Sequence, residues 1–473
     1  MKDVKYKIDK TLSTPLYLQL YNAFKNDIVS GRILDNERLP SRRRLTEVLG
    51  LGKNTVDLAY QKLIDNGYAI SQPRSGYFAR RQSPINTDIF EPDFYDLHGI
   101  SFNMSQNGID LPSIPKNTLV KLYREIIYDK PELFEYGHKY GEKSLRKAVA
   151  HYLYEVHGIS CSTDQIIIGA GSDYLIEQLS HIFGSSTVFG FENPCYARSY
   201  VPVKNSGKQT TLINVGLAGF DVEDLYKSDI DVLYISPDGQ FPTGYRMTAA
   251  QQKEILDWAN EKPDRYIIEA DFDLDFSDRG GLDPLFLRDT SEKVILLNSF
   301  YRSIAPSIKT GFLVLPKKLK ERFDERMPYY TTLKSRIEQQ VVAQYIQSGK
   351  YQRHLEKLYN IYLSKSKYLK DKINSCSFSK YVTIHHQSGG THIIVSVDNG
   401  MTENELKISA AKMGVKLLPL TTFLIKPNPK LPSSTFVIGY GQLSEAEIEQ
   451  AITRLDKALS LIHISEPTRH SLI

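Results

Sequence analysis

The sequence predicts two folds in series: a small helical head with a β-hairpin, then a much larger α/β body. Three observations carry this. The first 81 residues hold 15 Lys and Arg against 8 Asp and Glu, a net +7, whereas the rest holds 44 against 47, or −3. Helical periodicity runs through residues 15–66, and two short strand-like segments follow it. From His98 onward helices alternate with short apolar runs, the pattern of a largely parallel sheet. With 473 residues the chain exceeds one ordinary domain.

In the head, Pro15 opens a helix on which Leu16, Leu20, Phe24 and Ile28 recur at helical spacing, and Gly31 closes it. A second helix starts after Pro40, with Ser41 as its N-cap and Leu45, Val48 and Leu49 apolar. The turn Gly50-Leu51-Gly52 leads into a third, Lys53 to Asn66, with Val56, Leu58, Ala59, Leu63 and Ile64 expected to face inward. Tyr68-Ala69-Ile70 and Tyr77-Phe78-Ala79 form a hairpin around Gly76. Three helices and a β-wing make a winged helix-turn-helix.

Over residues 11–81 the details resemble the GntR family of bacterial regulators: Leu39-Pro40-Ser41-Arg42, Asn54-Thr55-Val56, Tyr60, Leu63, Gly67-Tyr68 and Ser75-Gly76. The resemblance implies a third helix in the major groove of double-stranded DNA and a wing near the minor groove. Arg42, Arg43 and Arg44 are then candidate phosphate contacts. Lys53, Asn54 and Thr55 are candidates for base edges, and Arg74 and Gly76 belong to the wing. Lys53 stands where the family usually has arginine, which removes a bidentate donor. A basic protein-docking module is the alternative reading.

Residues 82–97 show no sustained periodicity and read as a linker to a body spanning 98–458, with a small C-terminal lobe from about 355. Apolar runs at 165–168, 187–191, 232–235, 265–268 and 294–297 are candidate strands. The loop between Val294-Ile295-Leu296-Leu297 and Phe312-Leu313-Val314-Leu315 resembles the cofactor-lysine loop of fold-type I aminotransferases, with Phe300, Ala305, Pro306 and Gly311 in frame. Tyr136-Gly137, Gly141-Glu142, Gly169-Ala170-Gly171-Ser172-Asp173, Glu192-Asn193-Pro194-Cys195-Tyr196-Ala197-Arg198 and Gln240-Phe241-Pro242-Thr243-Gly244 resemble further landmarks of that fold. A GntR head on such a body is the arrangement of the MocR subfamily. The fold expected is thus multidomain, a winged helix-turn-helix plus an α/β aminotransferase-like domain with a large parallel-rich sheet and a small α+β lobe.

The groups that the resemblance assigns to pyridoxal phosphate are altered. Arg302 stands in place of the aldimine lysine, and a guanidinium stays protonated, so it cannot form an imine. Tyr301 replaces a serine, Lys309 the distal arginine, and Ala270 the aspartate that pairs with the ring nitrogen. Phe272 replaces the tyrosine that bonds the ring hydroxyl, unless a register slip brings Glu269 or Asp271 to the ring. Phe436-Val437-Ile438-Gly439-Tyr440 lacks the substrate-carboxylate arginine, and His392 reads as structural. No cofactor is therefore expected. Gly171, Ser172, Tyr196, Arg198, Arg302 and Lys309 remain as candidate effector-binding residues, the three cations converging on an anion.

The reading implied is a DNA-binding transcription regulator, not an enzyme, whose body senses a small anionic effector. The resemblance further implies a homodimer, domain-swapped head to tail. Alternatives are a regulator that keeps pyridoxal phosphate non-covalently and, last, an active aminotransferase. Cys161, Cys195 and Cys376 have neither metal nor disulfide spacing, and no apolar run approaches the ~18 residues of a membrane span. The N-terminus lacks a signal-peptide core, so a cytoplasmic location is expected. Residues 459–473 do not continue the family's last helix and read as a non-native tail.

Overall fold

The computed structural model describes residues 6, 8–9, 14–29, 32–72, 75–80, 99–105, 108–270, 272, 274–276, 282–385 and 390–460. The chain divides into two compact units, Met1–Asp96 and Leu97–Ile473. The sequence-predicted linker at 82–97, Arg74, Gly31 and Asp271 lie outside the described residues.

The first unit contains α1 (Leu16–Val29), α2 (Arg42–Leu49), α3 (Lys53–Asp65), β1 (Ala69–Gln72) and β2 (Gly76–Ala79). Ser41 caps α2, its Oγ accepting from the Arg44 amide at 3.2 Å, and Gly50 ends the helix at φ +59°. β1 and β2 pair antiparallel, Ala69 opposite Ala79. Leu20, Phe24, Ile28, Leu45, Val56 and Leu63 bury the facing sides of the three helices. Leu58 is the correction here: it is 54% exposed. At 100° per residue it points away from Val56 and shares the outer face of α3 with Asn54 and Gln61.

The second unit begins with β3 (Phe102–Asn103), α4 (Lys116–Asp129), α5 (Lys143–His157), β4 (Ile166–Gly169), α6 (Ser172–Ile182) and β5 (Val188–Asn193). It continues through α7 (Ala197–Asn205), β6 (Gln209–Asn214), α8 (Val222–Tyr226), β7 (Val232–Ile235), α9 (Ala249–Asn260) and β8 (Tyr266–Glu269). Then come α10 (Leu285–Arg288), β9 (Val294–Ser299), β10 (Gly311–Val314), α11 (Lys317–Arg326), α12 (Arg336–Gln347) and α13 (Lys350–Ser375). The last part holds β11 (Val382–His385), β12 (His392–Val397), α14 (Glu403–Lys412), β13 (Val415–Lys416), β14 (Leu418–Pro419), β15 (Thr435–Gly439) and α15 (Glu445–Ser460).

The large sheet has seven strands in the order β4-β10-β9-β8-β7-β5-β6. β10 runs antiparallel to both neighbours, and the remaining pairings are parallel. β4, β7, β8, β9 and β10 are buried along their whole length, because helices cover both faces. That burial explains their unbroken apolar sequences. The small lobe is built on an antiparallel sheet, β11-β12-β15-β14. α15 runs through Leu459 and Ser460, so the predicted tail boundary at 459 falls inside the helix, and 461–473 lie outside the described residues.

Candidate DNA interface and effector cavity

On the head, α3 carries Lys53 and Asn54 exposed at its first turn, with Thr55 half-buried behind them. Arg43 is exposed on α2, bonded through Nε to Glu47 Oε1 at 2.9 Å along the same helix. Arg42 is tied inward instead. Its Nη1 reaches Asp57 Oδ1 at 2.9 Å, bracing α2 against α3, and its guanidinium lies 5.2 Å from the Tyr77 ring centroid on the wing. Arg44 is half-buried. Gly76 adopts φ +108°, which strains any other residue; a Cβ there would meet only Arg38 side-chain atoms at 3.5 Å or more, so conformation and not space calls for glycine. Arg38 and Leu58, both exposed, sit among these groups and were missed in the sequence. A Leu on the outer face of this helix is the kind of group that meets a thymine methyl.

In the body, the loops after β4, β5, β7, β8 and β9 leave the carboxyl ends of their strands, where an open α/β sheet places its site. A cavity of about 40 Å³ lies among them, walled by Tyr196, Phe241, Ala270, Phe272, Tyr301 and Arg302. Glu192, Cys195, Tyr234, Ser236 and Gly239 complete its lining. Aromatic rings brace one another around it: Tyr196 meets Phe241 edge to face at 5.5 Å, and Phe272 meets Tyr301 at 6.2 Å. Arg302 is 7% exposed and donates from Nε to the Tyr301 hydroxyl at 2.8 Å. The loop that carries it is pinned at both ends, by Phe300 N to Thr310 O at 2.9 Å and by the Tyr351 hydroxyl to Ser303 Oγ at 2.8 Å.

The walls are also anchored from behind. Gln240 spends its amide hydrogens on the Pro194 and Phe241 carbonyls, at 2.8 and 2.7 Å. His392 is buried, with Nε2 3.0 Å from the Pro242 carbonyl, a structural placement. Tyr440 is buried and bonds the Gly390 carbonyl, and β15 brings no cation to the cavity walls. Glu269 is buried too; its oxygens accept from the Leu285 and Phe286 amides at 2.7 Å each, turned toward α10 and away from the lining.

Only Tyr196 and Arg302 of the predicted effector group line this cavity. Arg198 and Lys309 are exposed and form no part of its walls, so the expected convergence of three cations is corrected to one. Gly171 and Ser172 lie apart from it, at the start of α6, where Gly171 takes φ +100°. Asp173 follows in the first helical turn, its Oδ1 only 2.9 Å from where a Gly171 Cβ would stand. That helix end therefore already has a carboxylate in place.

Burial pushes the Glu192 carboxyl up to about 8 and the Cys195 thiol up to about 12. For Glu192 the Ser236 amide and the nearby Gln240 side chain offset only part of that cost. Glu192 was quoted in the sequence only as part of a motif, and its burial gave no local signal.

Residues 16–78 match the bacterial regulatory proteins of the gntR family, and residues 100–455 match aminotransferase class I and II. The HTH-type transcriptional regulator YhdI of Bacillus subtilis (strain 168) is 31% identical over 471 residues, 96% of this chain and 98% of that one. The probable rhizopine catabolism regulatory protein MocR of Rhizobium meliloti is 23% identical over 97% of this chain and 96% of its own length. Among solved structures, the α-aminoadipate aminotransferase LysN of Thermus thermophilus shares the fold of the body, with a TM-score of 0.67 and 21% identity over 77% of this chain and 93% of that one. The chain therefore belongs to the MocR subfamily of GntR-type DNA-binding transcription regulators, with a winged helix-turn-helix fused to a domain of the aminotransferase class I and II family.

Proposed function

We propose that this regulator senses a small anionic effector by reversible binding in the body cavity and performs no Schiff-base chemistry. Arg302 carries the reading. A buried guanidinium at the end of β9 occupies the loop position at which the fold family places its imine-forming lysine, and it can bind a carboxylate or phosphate but not condense with a carbonyl. The residues present do not fit pyridoxal phosphate. Ala270 is buried and offers the ring nitrogen no partner, Phe272 has no hydroxyl, and Asp173 sets a negative charge at the phosphate-cradling turn.

Two measurements test this. The full-length protein, incubated with pyridoxal phosphate and treated with borohydride, gains no covalent label at residue 302, and Arg302→Lys alone restores no amino-group transfer, because Ala270 and Phe272 are unchanged. A labelled wild type, or a transaminating single mutant, overturns the reading. A cofactor that binds without labelling would favour non-covalent retention.

On the head, Arg43, Arg44 and Lys53 contact phosphates and Asn54, Thr55 and Leu58 the base edges, with Arg38 and Gly76 at the wing. Arg43→Ala should weaken binding to every duplex and reduce the slope of log affinity against log salt by about 1. Asn54→Ala should instead cost about 1–3 kcal/mol at particular base pairs. An unchanged salt slope in the first, or a uniform loss in the second, reverses those roles.

The regulator works as a homodimer. Support comes from exposed aromatics on the body: Phe134 and Tyr136 stand out two residues apart, Tyr136 fully (100%) exposed, and Tyr329 is exposed as well. Arg336 holds that segment through the Glu132, Glu135 and Tyr136 carbonyls and a bidentate pair with Glu142, at 2.7 and 3.2 Å.

A further inference from the structure

Glu192 is the group in the cavity that the anion-binding reading leaves unused. It is 2% exposed, at the end of β5, and its two oxygens differ. Oε2 accepts from the Ser236 amide at 3.3 Å, whereas Oε1 is buried with no hydrogen-bond partner in bonding geometry among the described residues. Gln240 lies close by, but its amide hydrogens go to the Pro194 and Phe241 carbonyls. A native carboxyl oxygen left so is costly, and Glu192 is one of the residues that line the cavity, the side from which a partner reaches its carboxyl group.

The walls select the chemistry of that partner. Tyr196, Tyr234, Phe241, Phe272 and Tyr301 surround the space, and an aromatic ring attracts a cation that reaches its face. The titratable and charged groups that line the cavity with Glu192, among the described residues, are Cys195, Tyr234, Tyr196, Tyr301 and Arg302. The first two are held neutral by burial, and Arg302 is engaged with the Tyr301 hydroxyl.

We propose that this cavity is a subsite for a protonated primary amine, received by Glu192 as a carboxylate. The Glu192 proton leaves to solvent as the ammonium enters, so one cation replaces another and the charge in the cavity is conserved. The effector is then a small zwitterion, an amine at Glu192 and an anionic group toward Arg302; only the second half of that description rests on the proposed function.

The linkage gives a sign. Burial holds the Glu192 carboxyl protonated up to about pH 8, so amine binding must release a proton below that pH. Affinity for an amine should rise about tenfold per pH unit up to about 8 and level off above it, since the amine itself, like lysine, titrates near 10. A ligand that accepts a hydrogen bond from protonated Glu192 has the opposite dependence.

The test uses the full-length protein with ethylamine, ethanol and propionate as probes, read by thermal shift and by calorimetry between pH 6.5 and 9. Three heavy atoms bind no better than about millimolar, so probe concentrations reach tens of millimolar. Ethylamine should stabilise more than ethanol, gain affinity with pH, and release close to one proton at pH 7 when two buffers of different ionisation enthalpy are compared. Glu192→Gln should lose the preference for ethylamine and its pH slope. Glu192→Asp, which keeps the charge but shortens the reach, should weaken it in part. Should the variants fail to fold, proton release by the wild type decides alone. Equal stabilisation by ethanol, proton uptake, a flat pH dependence or no response to ethylamine overturns the amine subsite. Propionate and Arg302→Met separate the two claims: ethylamine binding without propionate binding removes the anionic half, and the reverse removes the amine subsite.

Discussion

Tyr60→Ala should lower the melting temperature of the DNA-binding head by tens of degrees and make DNA affinity fall steeply on warming. Tyr60 lies in the middle of α3 and is fully buried. Its hydroxyl donates to the Pro40 carbonyl, just before the N-cap of α2. Its ring stacks on Tyr77 of the wing at 4.3 Å and lies 5.7 Å from Phe24 on α1. One side chain thus joins α1, α3, the entry to α2 and β2. Truncating a buried aromatic costs about 3–5 kcal/mol. A domain of this size holds about 0.05–0.15 kcal/mol per residue, so that loss removes a large part of its stability. At about 4–8 °C per kcal/mol the head should melt near assay temperature. Tyr60→Phe removes only the hydroxyl bond, about 1 kcal/mol, and should bind DNA almost normally. The measurement is DNA binding by the full chain against temperature, with limited proteolysis of the head alongside. Wild-type temperature dependence in Tyr60→Ala would show that the ring is replaceable.

The parts of this architecture that repeat along the chain were the legible ones. Helix spacing located α1 to α3, and the unbroken apolar runs located the large-sheet strands, because strands covered on both faces have no polar side to interrupt them. Leu58 departs from its expected inward position because apolar character alone does not imply burial. The helix angle decides between Val56 and Leu58, and a recognition surface can carry an exposed Leu. Family loops brought Tyr196 and Arg302 to one cavity, but a loop position does not fix where a long side chain ends. Arg198 and Lys309 point elsewhere for that reason. Glu192 was invisible as a site because its property is three-dimensional. Nothing in the run Glu192-Asn193-Pro194 tells that one carboxyl oxygen will meet the Ser236 amide and the other no partner among the described residues.

That same burial makes the stability of the body depend on pH in an unusual direction. Glu192 and Glu269 are both carboxyls whose burial raises them, to about 8 and about 7 from an ordinary 4.5, with the nearby Asp238 adding to the shift of Glu269. A raised carboxyl binds its proton more tightly in the folded chain than in the unfolded one. Its stabilising contribution is complete below about pH 4.5 and is lost as pH rises through the folded value. Each group therefore lowers stability by about 1.4 kcal/mol per pH unit, Glu269 up to about 7 and Glu192 up to about 8. Other carboxyls, such as Asp110 beside Lys365, shift the opposite way, so the wild-type curve alone does not isolate the effect. The difference between wild type and Glu192→Gln does. Glutamine keeps the shape and the neutral state, and its carbonyl can still accept from the Ser236 amide. The variant should match the wild type near pH 5 and gain on it steadily to about pH 8, reaching several kcal/mol in a chemical denaturation series. Parallel curves from pH 5 to 9 would mean that Glu192 is ionised at neutral pH, and would remove the proton release on which the amine subsite depends.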